Sequence, residues 1–319
     1  MRAVLRAGKQ VTASAIAHVP LLERAWVRFA RAHPGLRLSR SLAAALASQF
    51  AHSPRRFRTV ALAEGPRMRV DICDLLHQLY FLGVDYESET SELIRRVLRP
   101  GDVAFDLGAN AGYFTLLMAS LVGAGGHVHS YEPNPALTRL LAESIALNQF
   151  EDRVTLNRVA VADRSSTSVK FYVSQLPGNS GVSALTPIDW AVRDGVYVDE
   201  GNVLVNVVAL DDYVRERSIT RCDLLKIDVE GGEAAVTRGM QSVLENLRPR
   251  WIICETGIGG EADRRFRACA YVSYRIGSSG LHPVSADVPH YWGNLVYVPQ
   301  ECELAATNQQ PEAAWPRCG

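Results

Sequence analysis

Four acidic residues, each at the end of a short apolar run, carry the chemistry that this sequence suggests. They are Asp106, Glu132, Asp228 and Glu255. Short runs of this kind are typical of strands buried on both faces of a parallel sheet. Ligands of such sheets bind at the carboxyl ends of the strands. Four carboxylates at one edge repel each other unless cations or hydrogen-bond donors lie between them, so the pattern predicts a ligand-binding site there.

A glycine turn follows the apolar run at residues 103–107 and leads into an apolar helix. Asp106, Gly108 and Gly112 give the turn the pattern Asp-x-Gly-x-x-x-Gly. Glycine allows positive φ and close approach of a ligand, and the helix start directs free N–H groups at that ligand. A dinucleotide-binding turn needs Gly-x-Gly-x-x-Gly, but Asp106 and Ala111 occupy its first and last glycine positions. An acid here repels a pyrophosphate and suits S-adenosylmethionine, which carries an ammonium and a sulfonium group.

A second carboxylate marks the end of the next strand. Residues 127–132 are predicted to form a strand that ends in Glu132. The spacing from the glycine turn is about that expected of a ribose-binding carboxylate, which accepts hydrogen bonds from both ribose hydroxyls. A glycine-rich turn in another kind of α/β domain stays open as the alternative, because short motifs have real false-positive rates.

The elements around these residues alternate between strand and helix. Strands are predicted at residues 57–62, 68–72, 103–107, 127–132, 154–161, 169–173, 203–208, 224–227, 251–255 and 291–299. Helices are predicted within residues 1–50, at 92–98, and from residues 113, 135, 210 and 233 onward. A polar loop is predicted at residues 175–202. The alternation implies an α/β fold with a mostly parallel sheet and helices on both faces.

The net charge of zero conceals a strong asymmetry along the 319-residue chain. Residues 1–58 carry eleven Lys or Arg and one acid, a net charge of +10, and the remainder carries −10. The sequence predicts a basic helical extension (1–58), a hairpin and helix lead-in (59–101), the main domain (102–300) and a flexible tail (301–319). The extension either contacts an anionic membrane surface or a second copy, or packs on its own acidic domain. We expect the cofactor rim to be complete from Asp102 onward.

Cysteine spacing and hydropathy exclude several classes of protein. The six cysteines show no metal-binding or redox spacing, which favours reduced thiols and a cytoplasmic protein. Apolar runs fall short of a membrane span, and the N-terminus lacks the features of a secretion signal. Aromatic and basic residues do not cluster near the predicted site, so we expect no nucleic-acid partner.

Together these motifs resemble the FkbM-type family of S-adenosylmethionine-dependent methyltransferases, which have a Rossmann-like class I fold. The likeness runs from about Leu79 to Pro299, and residues 1–58 lie outside it. Its most specific part is Ile-Asp-Val-Glu-Gly at residues 227–231. Other matching segments are the glycine turn at 106–112, Glu-Pro-Asn at 132–134, Leu-Asn at 147–148, Leu-Asp-Asp at 210–212, the strand ending at 255 and the closing strand at 294–299.

The resemblance implies a set of cofactor contacts. The residues implied to hold the methionine and sulfonium end are Asp106, Gly108, Asn110 and Gly112. Glu132 is implied to bind the ribose hydroxyls, with Asn134 beside it. Many Rossmann-like methyltransferases place an acid near the adenine at the end of the third strand, where this chain has Ala160 with Asp163 nearby. The family is associated with O-methylation of hydroxyls, often on sugars or natural products.

Methyl transfer to an alcohol requires removal of the hydroxyl proton, which calls for a base or a metal. Asp228 and Glu230, at a strand end expected to face the methyl group, are the candidate catalytic bases, and no metal site is predicted. The alternative is structural: Asp228 caps the next helix, and Glu230 and Glu233 interact with its dipole. His290 is a weaker candidate base.

The sequence therefore predicts an S-adenosylmethionine-dependent methyltransferase that acts on a hydroxyl of a sugar or another small-molecule acceptor. Two other classes stay open. An NAD(P)-dependent oxidoreductase is disfavoured by Asp106 and Ala111 in the glycine turn. A non-catalytic binding module on the same fold is disfavoured by the intact acids Asp106, Glu132 and Asp228.

Overall fold

A computed structural model describes residue 12 and residues 20–33, 49–50, 52–174, 180–197, 201–284 and 291–302. The strands are β1 Phe57–Ala61, β2 Arg67–Asp71, β3 Val103–Leu107, β4 His127–Tyr131, β5 Val154–Asn157, β6 Ala160–Val161, β7 Ser166–Phe171, β8 Val203–Val208, β9 Leu224–Ile227, β10 Trp251–Gly257, β11 Tyr271–Gly277, β12 Gly280–Pro283 and β13 Trp292–Pro299. The α-helices are α1 Pro20–Ala32, α2 Leu75–Phe81, α3 Ser88–Val97, α4 Tyr113–Val122, α5 Pro135–Asn148, α6 Asp189–Arg193, α7 Leu210–Glu216, α8 Glu233–Arg238 and α9 Glu261–Ala268. Shorter turns of helix are Pro54–Arg56, Ser180–Val182, Val243–Leu247 and Gln300–Cys302.

An eight-stranded sheet organises the main domain. Its order is β12-β11-β13-β10-β9-β3-β4-β5. The strands from β10 to β5 are parallel, and β13 runs antiparallel between β10 and β11. The predicted α/β fold with a mostly parallel central sheet is therefore confirmed.

Each face of this sheet carries its own apolar core. Side chains alternate along a strand, so Ala104 and Leu224 belong to one cluster while Phe105 and Leu225 belong to the other. Helices α3, α4 and α5 contribute to the first cluster, and α7, α8 and α9 to the second. Burial on both faces explains why the central strands read as short apolar runs rather than as an alternating pattern.

The third predicted strand is wrong in its extent, because residues 154–161 divide between two sheets. β5 ends at Asn157, whose side-chain amide donates to the carbonyl of Ser130 on β4 at 3.2 Å. The chain then leaves the main sheet, and β6 pairs with β8 in a three-stranded sheet of order β6-β8-β7. The strands predicted at residues 169–173 and 203–208 also belong to this smaller sheet. It stands beside the carboxyl end of β4 and contributes to the cavity described below.

Several elements were not predicted. α2 and α9 are short helices, and β11 and β12 form a hairpin at the sheet edge. Part of the predicted loop at residues 175–202 is helical, in Ser180–Val182 and α6.

The lead-in packs into the same core as the main domain. β1 and β2 form the predicted antiparallel hairpin, and β2 lies against α5. The backbone N–H of Arg67 donates to Oδ1 of Asn148 at 2.7 Å, and Nδ2 of Asn148 donates to the Arg67 carbonyl at 2.6 Å. The N–H of Arg69 donates to Ser144 at 2.8 Å. Polar side chains of α5 thus satisfy one edge of the hairpin.

Helix α1 is the longest described segment of the basic extension. Its Trp26 is buried and lies 6.1 Å from Phe81 of α2 between ring centroids. Glu23 forms ion pairs with Arg55 at 3.0 Å and with Arg58 at 2.9 Å. Pro20 is the first residue of this helix that the structure describes. The other predicted helices of the extension fall largely outside the described residues, at 1–11, 13–19, 34–48 and 51.

The predicted C-terminal tail likewise lies partly within and partly outside the described residues. Residues 301–302 belong to the helix Gln300–Cys302, and Glu301 pairs with Arg248 at 2.7 Å, so a flexible tail does not begin at 301. Residues 303–319 lie outside the described part. Within the described ranges, no helix combines the length and the apolarity needed to cross a bilayer.

Candidate active site

A cavity opens at the carboxyl ends of β3, β4 and β9. Its empty volume, which includes open solvent at the mouth, is about 900 Å³. The predicted site residues that line it are Gly108, Asn110, Glu132, Asp228 and Glu230. The predicted site residues that do not line it are Asp106, Gly112, Asn134 and Asp163. Five of the nine predicted residues therefore lie on the cavity wall, and the other four lie away from it.

The glycines of the turn serve the packing of the backbone. Gly108 has φ +85°, and a Cβ there would lie 1.7 Å from the carbonyl oxygen of Asp228. Gly112 has φ +99°, and a Cβ there would lie 2.3 Å from Cδ1 of Leu141 on α5. Both glycines thus let neighbouring elements approach the turn closely. This is a different physical reason from the ligand approach on which the prediction was based.

Asn110 is held in position by a residue of the lead-in. It adopts φ +53°, a left-handed conformation that asparagine tolerates better than most residues. Its Oδ1 accepts the N–H of Ala111 at 2.7 Å and lies 3.4 Å from Nε2 of His77. Nδ1 of His77 accepts the N–H of Asp71 at 3.2 Å, so Nε2 carries the proton. Sequence reasoning missed His77, because its partner is distant along the chain.

Glu132 is buried at the end of β4 with its carboxylate fixed by two backbone groups. The N–H of Asn110 donates to Oε2 and the N–H of Asn134 donates to Oε1, each at 2.8 Å. Burial raises the pKa of Glu132 to about 7, although these two N–H groups lower it. One acceptor position on each oxygen remains for a ligand in the cavity.

Asn134 and Asp163 have roles outside the cavity wall. The side chain of Asn134 caps α5 by accepting the N–H of Ala136 at 3.0 Å, as the sequence Asn-Pro predicted. The carboxylate of Asp163 lies 3.8 Å from the guanidinium of Arg164, and Asp163 is not part of the cavity wall. We therefore leave Asp163 out of the proposed site, where Ala160 lines the wall.

Asp106 lies beneath the cavity. It is 1% exposed, and Oδ2 accepts the hydroxyl of Thr115 at 2.6 Å. Within the described part of the chain, nothing hydrogen-bonds its Oδ1. Burial raises the pKa of Asp106, while the charge of Lys226 lowers it. Asp106 is in register with Lys226 on the adjacent strand.

Asp228 forms an ion pair with the buried side chain of Lys226 and does not cap helix α8. Nζ of Lys226 donates to Oδ2 of Asp228 at 2.8 Å and lies 4.5 Å from the ring centroid of Phe114. Helix α8 is capped by Gly232, with no side-chain hydrogen bond, so Asp228 is not its cap. Lys226 is 1% exposed. Burial lowers the pKa of Lys226, but the charges of Asp228, Glu87 and Asp106 together outweigh burial and raise it.

Glu230 and Glu233 follow in the same turn but face different surroundings. Glu230 has φ +54° and lines the cavity. Burial first, and then the charge of Asp228, raise the pKa of Glu230 to about 8. Glu233 is buried, and its Oε1 accepts the N–H groups of Val229 and Gly231, each at 3.1 Å. Glu233 therefore shapes the turn that presents Glu230.

The cavity wall includes side chains that precede Asp102. Leu76, Tyr80 and Tyr86 of the lead-in all line it, so the expectation of a rim complete from Asp102 onward is wrong. The ring centroids of Tyr80 and Tyr113 are stacked at 5.2 Å. Apolar side chains from α5 and the smaller sheet form the opposite wall: Leu137, Val159, Val161, Phe171 and Leu185.

No group of three His, Cys, Asp or Glu within the described ranges is arranged to hold a metal ion. His290, the weaker candidate base, lies outside those ranges.

Comparison with known sequences places the chain beside named methyltransferases. The 31-O-demethyl-FK506 methyltransferase FkbM of Streptomyces tacrolimicus is 34% identical over 167 residues, covering 45% of this chain and 61% of that protein. The hexuronic acid methyltransferase AglP of Haloferax volcanii is 26% identical over 174 residues, covering 54% and 63%. This chain therefore spans less than two thirds of either relative.

Solved structures show a more distant likeness. A S-adenosylmethionine-dependent O-methyltransferase of Thermotoga maritima has 11% identity and a TM-score of 0.36, with 79% of this chain and 96% of that chain covered. This likeness is too distant to carry a functional argument.

A family model described as the methyltransferase FkbM domain matches residues 106–272. The matched range contains both glycine-turn residues, Glu132, Asp228 and Glu230, and it covers just over half of the chain. The chain belongs to the FkbM methyltransferase domain family.

Proposed function

We propose that this protein is an S-adenosylmethionine-dependent methyltransferase that methylates a hydroxyl group of a small molecule or sugar. The observation that carries the proposal is the carboxylate of Glu132. It is buried at the end of β4, anchored by two backbone N–H groups, and turned to a cavity beside Gly108 and Asn110. A fixed carboxylate with a free acceptor position on each oxygen suits a vicinal diol such as that of a ribose.

The rest of the cavity fits the other parts of this cofactor. Apolar side chains on the side of Leu137 and Val161 offer a surface for a flat adenine ring. The carboxyl groups of Asp228 and Glu230 lie on the side of β9, where negative charge favours a sulfonium cation. Asp106 lies beneath the wall with an unsatisfied oxygen, so it supplies negative charge without direct contact.

The same cavity supports transfer to an oxygen. When bound, S-adenosylmethionine supplies an activated methyl group: the acceptor oxygen forms the O–C bond, the C–S bond breaks with its electrons left on sulfur, and the hydroxyl proton leaves. The protein positions the hydroxyl and removes that proton. Glu230, whose pKa is raised to about 8, and Asp228 are the proposed catalytic bases.

The acceptor is proposed from charge and from the relatives' names. The part of the chain beyond residue 58 carries a net charge of −10, which disfavours a nucleic-acid acceptor. The two relatives described above are named for 31-O-demethyl-FK506 and for a hexuronic acid. A hydroxylated small molecule or sugar fits both observations.

Calorimetry of S-adenosylmethionine binding tests the cofactor assignment. We expect saturable binding by the wild-type chain and weaker binding by Glu132→Ala than by Glu132→Gln, because glutamine keeps one acceptor. Loss of two charge-assisted hydrogen bonds corresponds to roughly 2–4 kcal/mol. Glu245→Gln, on the exposed surface, is the matched control and is expected to bind like the wild type.

A parallel titration with NADH separates the alternative classes. Binding of NADH in place of S-adenosylmethionine would overturn the proposal in favour of an oxidoreductase. Binding of S-adenosylmethionine without methyl transfer to any member of a panel of sugars and hydroxylated natural products, followed with a labelled methyl group, would favour a binding module.

A further inference from the structure

A row of polar side chains crosses one face of the main sheet at its carboxyl edge. Asp106, Lys226, Glu255 and Asn294 lie on the adjacent strands β3, β9, β10 and β13. Asp228, directly after β9, contacts two of them. Because Ala104, Leu224, Ile253 and Val296, each two positions away on the same strand, belong to the core packed under α3 and α4, the row lies on that face. The row extends from Asp106 and Lys226, at the floor of the cavity, to Asn294 on the antiparallel strand β13.

Asp228 and Glu255 follow the paired residues Ile227 and Cys254 and so lie side by side; their carboxyl groups are hydrogen-bonded but face different spaces. Asp228 lines the cavity, whereas Glu255 does not and is partly exposed on the next strand. Their hydrogen bond requires a proton, since two carboxylates offer only acceptors. Burial and the charge of Asp228 raise the pKa of Glu255, so Glu255 is the member that holds this proton.

Both members of the pair have fixed neighbours. Lys226 donates to Oδ2 of Asp228 at 2.8 Å, which leaves the other carboxylate oxygen for a proton. Asn294 lies directly opposite Glu255 in the β10–β13 pairing. Its Nδ2 donates to Glu87 at 2.6 Å, while its Oδ1 is buried without a hydrogen-bond partner among the described residues. This oxygen offers the proton of Glu255 a second acceptor, opposite Glu255, when that proton is not shared with Asp228.

We propose that Asp228 and Glu255 form a two-carboxyl path by which the proton of the acceptor hydroxyl leaves the cavity. The path rests on the proposed function, because that hydroxyl is the source of the proton. Asp228 takes the proton as the O–H bond breaks, and the electrons of that bond enter the new O–C bond. Glu255 releases the proton that it holds to water at the sheet edge and then, as its carboxylate, receives the proton from Asp228. One proton enters the path and one leaves it.

The groups that face this pair set its charge. The cation is Lys226 on β9, and it lowers the pKa of Glu255. The acidic groups on the surrounding elements are Asp106 of β3, Glu87 before α3, Glu230 and Glu233 of the turn into α8, and the phenol of Tyr86.

Carboxyl-carbon NMR of the full chain, labelled at Glu and Asp, tests the pair without any ligand. Glu255→Gln assigns the Glu255 resonance by its disappearance. We expect Glu255 to titrate well above its ordinary range in the wild type. In Asp228→Asn, which removes the neighbouring charge, its midpoint falls by about one pH unit or more. Glu245→Gln leaves it unchanged. A Glu255 midpoint that is the same in the wild type and in Asp228→Asn would overturn the proposal.

Calorimetry with S-adenosylmethionine, in buffers of different ionisation enthalpy, tests whether the pair responds to the cavity. A cation bound beside Asp228 lowers the pKa of the pair, so we expect proton release at pH 6.5 in the wild type. Glu255→Gln is expected to bind and to release about one proton fewer, and Glu245→Gln to match the wild type. Binding with unchanged proton release in Glu255→Gln overturns the path alone. Absence of binding in the wild type overturns the proposed function, and the NMR result still decides the pair.

Discussion

At the scale of single residues, Gly108 and Gly112 look equivalent in the sequence, but each lies against a different neighbour. A side chain at Gly108 meets backbone, the carbonyl of Asp228, while one at Gly112 meets the flexible end of Leu141. Backbone at the sheet centre cannot move aside, whereas a leucine can change rotamer or be shortened. A substitution at Gly108 therefore disturbs the turn as a whole, and not only the ligand space.

We expect Gly112→Ala to lower the free energy of unfolding, since it combines positive φ with a clash at 2.3 Å, and Leu141→Ala to lower it by about 2–5 kcal/mol. The double variant is expected to lose less than the sum of the two, because the shortened residue 141 leaves room for the new methyl group. Urea unfolding of the four proteins measures this coupling.

Gly65→Ala provides the control for that cycle. Gly65 also has positive φ, at +98°, but nothing lies within 4 Å of a Cβ there, so it reports the cost of backbone strain alone. Strict additivity of Gly112→Ala and Leu141→Ala would show that their contact does not limit the turn.

The residue scale also shows what the sequence could predict of the site. Glu132 and Asp228 were found because an acid at the end of an apolar strand is a local signal. His77 and Tyr86 were not found, since Tyr86 reaches the cavity and His77 reaches Asn110 only through packing of the lead-in on the main domain. Asp106 was recognised, but its burial beneath the wall depends on Thr115 and Lys226, whose side chains meet it only in the fold.

At the scale of elements, the docking of the hairpin on α5 brings the lead-in to the cavity. The side chain of Asn148 hydrogen-bonds to the hairpin as a neighbouring strand would, because it both accepts from and donates to the backbone of Arg67. α2 follows β2 directly and carries Leu76 and Tyr80 into the cavity wall. The position of part of the site thus depends on this contact, together with that of Ser144 with the backbone of Arg69.

We expect Asn148→Ala to lower the free energy of unfolding by about 1–2 kcal/mol, because two backbone groups of Arg67 lose their partners. Hydrogen exchange is expected to quicken at the amides of β1 and β2 in this variant. Asn246→Ala is the matched control, since the Asn246 side chain bonds only to exposed Ser242, at 2.9 Å. Unchanged exchange in the hairpin of Asn148→Ala would show that apolar contacts alone hold it.

Helices and strands were predicted correctly where the signal lay in neighbouring residues. The prediction failed where the pairing of strands distant along the chain determines the structure. Asn134 before Pro135 correctly marked the start of α5. The run at residues 154–161 reads as one strand, yet the side chain of Asn157 ends its pairing with β4, and the next residues pair with β8. Strand partners distant along the chain are not encoded in an apolar pattern, so the smaller sheet was not foreseen.

At the scale of the whole molecule, the acids that build the cavity cost stability when no ligand is bound. The pKa of Glu132 is raised to about 7 and that of Glu230 to about 8, from an ordinary value near 4.5. Their contribution to stability is therefore fully present below about pH 4.5 and is lost as pH rises through 7 and 8.

We expect the melting temperature of the ligand-free protein to fall between pH 6 and pH 9, and Glu230→Gln to flatten the part of the curve near pH 8. One proton contributes at most about 1.4 kcal/mol per pH unit. Thermal unfolding across this range measures the effect, with Glu245→Gln as the control. An identical slope for Glu230→Gln and the wild type would mean that Glu230 does not carry this dependence.

The basic extension raises the question of how much of the molecule the site requires. The earliest residue of the cavity wall is Leu76, while α1 contacts the lead-in through Trp26 and through the ion pairs of Glu23. Ser53 accepts the N–H of Arg55 and so caps the helical turn that leads into β1. A shortened chain can therefore begin at Ser53, because it then keeps this cap and both strands of the hairpin.

A chain of residues 53–319 is expected to bind S-adenosylmethionine with nearly unchanged affinity, because its cavity wall is intact. We expect it to unfold more easily, since Phe81 loses the cover of Trp26, and Trp26→Ala in the full chain to show much of the same loss, about 3–5 kcal/mol. Calorimetry and urea unfolding of both proteins make the comparison. A shortened chain that is folded but no longer binds would place the extension within the site. Equal stability of the shortened and full-length proteins would show that the α1 contact contributes little, and that the +10 charge of residues 1–58 serves a surface rather than the fold.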